Sequence, residues 1–205
     1  MSGLVDLVLL TETFVTLFVI MDPVGTVPIF LSLTSGRSPA TARRAAWQAV
    51  GVSFFVITVF AFFGQQILAY LHISLPALQC AGGLLLLLVA LELLTGNEKE
   101  PTATSGTNVA LVPLGTPLLA GPGAIVATML FSRRVHDWPE FTAVSLGVIG
   151  VHLALWAAMR WSLPILRLIR PSGVLLVTRI AGLLLSAIAV QLVADAVRAF
   201  VAGEG

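Results

Sequence analysis

The chain has 205 residues, 58% of them hydrophobic and 10% charged, with a net charge of +1 and a mean hydropathy of +1.01. A soluble domain of this size carries roughly a quarter charged residues, so this composition excludes a water-facing globule. It also gives no argument for nucleic acid. The single cysteine, Cys80, excludes an intramolecular disulfide and a multi-cysteine metal site.

A bilayer span needs about 20 mostly apolar residues. Six stretches meet that requirement, at Leu7–Leu33, Ala45–Tyr70, Leu75–Thr95, Val109–Phe131, Phe141–Leu163 and Val174–Phe200. The N-terminal run MSGLVDLVLL has no Lys or Arg ahead of it and continues into Phe14 and Val15. The first span is therefore expected to be retained rather than cleaved. The connections are short except for Gly96–Asn108, which divides the chain nearly in half. Trp47, Tyr70, Trp138 and Trp161 fall near span ends, where amphipathic rings prefer to sit.

Eight of the eleven Lys and Arg fall on one side: Arg37, Arg43, Arg44, Lys99, Arg160, Arg167, Arg170 and Arg179. Arg133, Arg134 and Arg198 fall on the other. The richer side is expected to be cytoplasmic, which puts both termini outside. The expected location is the cell (inner or plasma) membrane, crossed several times.

Two spans contain helix-breaking clusters. The first holds MDPVGTVP, Met21 to Pro28, and the fourth holds GTPLLAGPGA, Gly115 to Ala124. Proline removes a helical donor and glycine weakens the helix. Unwound backbone at membrane depth is tolerated only inside protein or beside water. The breaks are in register, because Pro23 and Pro122 are 99 positions apart. The same offset pairs Gly51 with Gly150, Gly83 with Gly182, Ser53 with His152 and Glu92 with Gln191. We therefore expect an all-α integral membrane protein of six transmembrane helices, forming a single domain over residues 1–205. Residues 1–96 and 108–205 are read as two inverted three-helix repeats, with helices 1 and 4 discontinuous. This is the plan of many secondary transporters.

Each break starts a half-helix near the midplane. A helix N-terminus offers unpaired N–H groups and about half a positive charge. The first carries a carboxylate, Asp22, and the second a bare Gly121-Pro122-Gly123. One end suits an ammonium group and the other a carboxylate, so a small zwitterion is the expected substrate. Asp before Pro is also a common structural helix start, and glycines also serve close helix packing. The candidate binding set is Asp22, Pro23, Gly25, Thr26, Pro28, Gly121, Pro122 and Gly123. Candidates for a coupling proton are Asp22, His152 and Glu12, against packing or interfacial roles for the last two.

DPVGTVPIFLSLT at Asp22–Thr34 and AGPGAIVAT at Ala120–Thr128 resemble motifs of the MarC family of membrane proteins, which includes neutral amino acid transporters of the SnatA type. The resemblance covers nearly the whole chain. It implies six helices with the first and fourth discontinuous, and transport of small neutral amino acids such as glycine or alanine, driven by protons. It carries Asp22, Pro23, Gly25, Pro28, Gly121, Pro122 and Gly123 over as motif positions. Exporters or channels for another small metabolite remain the alternative. An enzyme is not expected. H-E-x-x-H is absent, and His72, His136 and His152 are scattered over two connections and a span. No cofactor or metal is expected. The expected partners are the substrate, protons and membrane lipid, with a homo-oligomer allowed and nucleic acid not expected.

Overall fold

A computed structural model describes residues 5–34, 37–95 and 119–203. Its elements are seven helices: α1 (Leu7–Met21), α2 (Thr26–Thr34), α3 (Pro39–Tyr70), α4 (Leu75–Thr95), α5 (Pro122–Arg133), α6 (Trp138–Arg160) and α7 (Ser162–Val201). Among the described residues there is no strand. Among the described residues four stretches are long and apolar enough to cross a membrane: α3, α4, α6 and Leu175–Val201 of α7.

Local chemistry accounts for the starts and stops. Asp6 caps α1, its Oδ1 accepting from Val8 N (2.9 Å) and Leu9 N (3.0 Å). Ser38 caps α3 and is followed by Pro39, whose missing N–H costs nothing at a helix start. Asp137 caps α6 by accepting from Glu140 N (3.0 Å), while Glu140 reaches back to accept from His136 N (2.6 Å). That reciprocal arrangement is close to a capping box. Four residues link α3 to α4 and one links α6 to α7, and α4 packs along α7.

The first span is divided as expected, α1 from α2, across residues 22–25. The third is helical over the expected Leu75–Thr95. Of the fourth, α5 is described, and the expected first half from Val109 to residue 118 lies outside the described residues, as does the Gly96–Asn108 connection. One expectation is corrected. Residues 164–173 were read as a connection, but α7 begins at Ser162 and runs through them. Pro164 is the third residue of that helix, within the turn whose N–H groups have no helical partner, so it does not delay the start.

Two packing units make the core. One gathers Leu9, Leu17 and Met21 of α1 with residues of α2, α3, α5 and α6. The other joins Leu86 and Ala90 of α4 to Leu185, Ala189 and Leu192 of α7. The α4–α7 crossing is close because of two glycines. A Cβ on Gly83 would lie 2.9 Å from the Ala189 carbonyl oxygen, against Leu192 and Val193. A Cβ on Gly182 would lie 3.2 Å from the Ala90 carbonyl oxygen, against Leu93 and Leu94. Every residue in the first contact set has its partner in the second at the 99-residue offset. Small residues are what allow two backbones in lipid to approach this closely.

A carbonyl oxygen on a packed helix cannot turn aside. Gly83→Ala is therefore expected to lower the melting temperature in detergent by several degrees, corresponding to about 1–3 kcal/mol of overpacking. Gly51→Ala, with nothing within 4 Å, is expected to leave it within a degree or two. Equal effects would contradict the close-crossing account.

Candidate functional site

Asp22 holds the first break together. Its backbone is left-handed (φ 38°, ψ 73°), and its N–H closes α1 on Phe18 O. Asp is one of the few L residues that tolerate this region. The expectation that Asp22 caps the start of the second half-helix, with Pro23 as its first residue, is thus corrected. Asp22 ends α1, residues 23–25 form a turn, and α2 begins at Thr26.

The turn is paired through this one residue. Asp22 Oδ1 accepts from Gly25 N at 3.0 Å. Its carbonyl accepts from Thr26 N at 3.0 Å and from Thr26 Oγ1 at 2.8 Å. Gly25 is required here, because a Cβ would collide with the Asp22 carboxylate. Pro23, Gly25 and Thr26 are buried. Pro28 is the third residue of α2 and so gives up no helical hydrogen bond. Asp22 Oδ2 is buried and has no hydrogen-bond partner among the described residues. A buried carboxylate oxygen left unpaired is costly, and this one is an acceptor awaiting a donor.

At the second break Gly121 is the N-cap of α5 in extended conformation (φ −66°, ψ 163°), and no side chain caps the helix. Pro122 is its first residue. Gly123 is buried, and a Cβ there would collide with Leu86 of α4. Met21, Leu119, Ala120 and Ala124 belong to one buried cluster, so both breaks border the same core.

The other two coupling candidates lie elsewhere. Glu12 accepts from Arg134 at 2.6 Å, with both side chains about half exposed. It sits ten residues before Asp22, roughly 15 Å along α1 at 1.5 Å per residue. His152 is buried and fully paired. Its Nδ1 lies 2.7 Å from Val148 O and its Nε2 3.2 Å from Ser53 Oγ. Nδ1–H therefore donates to the carbonyl, and Nε2 accepts from the serine hydroxyl. The edge-on ring of Phe54 packs beside it at 5.2 Å. Ser53 and His152 are 99 residues apart, so positions aligned by the offset touch one another. Among the described residues no group of His, Cys, Asp and Glu could hold a metal ion.

Two features were not read from the sequence. Thr13 Oγ1 is buried without a partner among the described residues, on the α1 stripe that meets Gly147 of α6. A cavity of about 440 Å³ also lies between α3 and α6. Both arise where helices distant in sequence meet, and no motif marks them.

Comparison with known proteins decides the family. The MarC family of integral membrane proteins matches over residues 7–201. The chain belongs to that family. It is 33% identical to a UPF0056 membrane protein of Methanocaldococcus jannaschii, over 94% of this chain and 98% of the relative. It is 33% identical to one of Aquifex aeolicus, over 93% of each, and 29% identical to UPF0056 membrane protein YhcE of Escherichia coli, over 93% of this chain and 92% of the relative. No solved structure matches the chain. Membership makes this MarC protein an integral membrane protein.

Ser53→Ala would leave His152 Nε2 buried without a partner. It is expected to cost about 1–3 kcal/mol, read as a lower detergent melting temperature. Ser53→Thr, which keeps the hydroxyl, should recover part of that loss. If Ser53→Ala melts like the wild type, the pair carries no stability.

Proposed function

We propose that this MarC protein is a secondary transporter of small neutral amino acids of the glycine and alanine type, coupled to protons. It would work in the cell membrane as six spans in two inverted repeats, with both termini outside. The observation that carries the reading is the unpartnered, buried Asp22 Oδ2 at a helix break inside the membrane-spanning unit. An ionisable side chain at such depth is costly and calls for a ligand or a proton. An ammonium group supplies the missing donor. The uncapped N–H groups of Gly123 and Ala124 in the first turn of α5 suit a carboxylate. The two breaks together fit a zwitterion.

The repeat reading rests on the mutual contacts of Gly83 and Gly182 with counterpart residues and on the Ser53–His152 pair. Inverted repeats are related by a two-fold axis in the membrane plane. Equivalent positions meet on such an axis and exchange their contacts across it.

Asp22 is the favoured coupling residue. Glu12 already has a cationic partner, and both His152 nitrogens are engaged.

Uptake of radiolabelled glycine and alanine into proteoliposomes tests the proposal, with and without an imposed pH gradient. Gradient-dependent uptake is expected, reduced at least tenfold in Asp22→Asn and retained within about twofold in Glu12→Gln. Absence of uptake from folded protein, or full uptake by Asp22→Asn, would overturn the reading.

A further inference from the structure

The cavity between α3 and α6 is a feature separate from the helix breaks. Thr58, Gln65 and Gln66 of α3, Ser132 of α5 and Ser145 of α6 supply its polar lining. Among the described residues no ionisable side chain lines it. Hydroxyls and amides donate and accept hydrogen bonds without charge. Such a lining replaces the water around a solute with no net charge, whereas a net ion would lose its hydration without a counter-charge.

At one end the cavity stops against the Ser53–His152 pair. Phe54 and Val148 both line it. The Phe54 ring packs against His152, and the Val148 carbonyl accepts from His152 Nδ1.

Beyond that pair the same two helices are packed shut. The 99-residue offset carries Thr58 to Ala157, Ser145 to Ala46, Val144 to Ala45, Val148 to Ala49 and Ile57 to Trp156. Ala45, Ala46 and Ala49 are buried in the main core, and Trp156 packs against it. The Trp156 ring also packs tilted against Trp47 at 5.1 Å and edge-on against Trp161 at 5.8 Å. The cavity side thus carries hydroxyls at two positions where the packed side carries alanines. A polar wall that faces solute and a small apolar wall that closes tightly have different needs, and the residues divide accordingly.

We infer that the α3–α6 cavity is a vestibule for a small polar solute without net charge. The packed region around Ala46 and Ala49 is the matching vestibule, on the other side of the membrane, in its closed state. The Ser53–His152 pair with Phe54 separates the two. In the opposite state the second set of residues parts and the first packs. This deepens the transporter reading and rests on it.

Single cysteines test the inference in a Cys80→Ser background. Right-side-out and inside-out membrane vesicles are treated with a membrane-impermeant maleimide. Thr58→Cys and Ser145→Cys are expected to label at least tenfold faster than Ala46→Cys and Ala49→Cys, and from one face only. Trp156→Ala removes the ring contacts that hold the packed side. It is expected to raise labelling of Ala46→Cys at least tenfold from the opposite face and to slow Thr58→Cys. Neither measurement needs a solute. Loss of alanine uptake with this labelling pattern intact would sink the amino acid cargo and support the vestibule. Normal alanine uptake with Thr58→Cys and Ser145→Cys unlabelled from either face would overturn the vestibule and leave the cargo standing. Labelling of Ser145→Cys at equal rates from both faces would also overturn it, because it describes an open pore.

Discussion

Backbone polar groups inside a membrane must find partners within the protein, and the rest of the structure depends on how Asp22 meets that demand. The chain leaves the helix after Met21 and re-enters it at Thr26. Between them one residue supplies the pairing, with its side chain accepting from Gly25 N and its carbonyl from Thr26. The consequences are specific. Gly25 must lack a Cβ, Asp22 must turn left-handed, and one carboxylate oxygen is left over. A structural solution to the break thereby leaves a chemical capacity behind. The second break is solved differently, with glycines around Pro122 and no capping side chain, which leaves donors rather than an acceptor.

The arrangement around the breaks is held by helix crossings whose contacts recur at a fixed sequence offset. Gly83 and Gly182 each receive the backbone of the other's helix, and Ser53 meets His152. These contacts are unlike a generic bundle, in which equivalent positions have no reason to touch. They support the proposed inverted repeats, and they make the unequal packing of α3 against α6 on the two sides of His152 meaningful. In the proposed inverted-repeat carrier that inequality would correspond to one of two alternating states.

Much of the architecture was legible in the residues. The Pro-Gly clusters marked the break between α1 and α2 and the start of α5, because proline and glycine interrupt a helix within an apolar run. The third span was read with its observed ends, Leu75–Thr95, since Ser74 and the short connection before it bound an unbroken apolar stretch. The 99-residue offset aligns Ser53 with His152, and the two side chains touch. The remainder was hidden for identifiable reasons. The helix between Leu163 and Val174 was not read, and Pro164 does not prevent it because it lies in the first turn of α7. Asp22 looked like an N-cap, and its left-handed backbone cannot be inferred from an Asp-Pro pair that allows either role. The Glu12–Arg134 ion pair spans 122 positions, and the α3–α6 cavity is lined by residues from three helices. Spacing within one helix carries no information about either.

In the proposed carrier, Asp22 meets the ammonium group of a small zwitterion. Equilibrium binding of alanine to the purified protein in detergent tests this most directly, because it removes coupling and orientation from the question. The account predicts saturable binding by the wild type, weakened at least tenfold in Asp22→Asn, and no binding of propionate, which lacks the ammonium group. Alanine binding of equal strength in wild type and Asp22→Asn would contradict it.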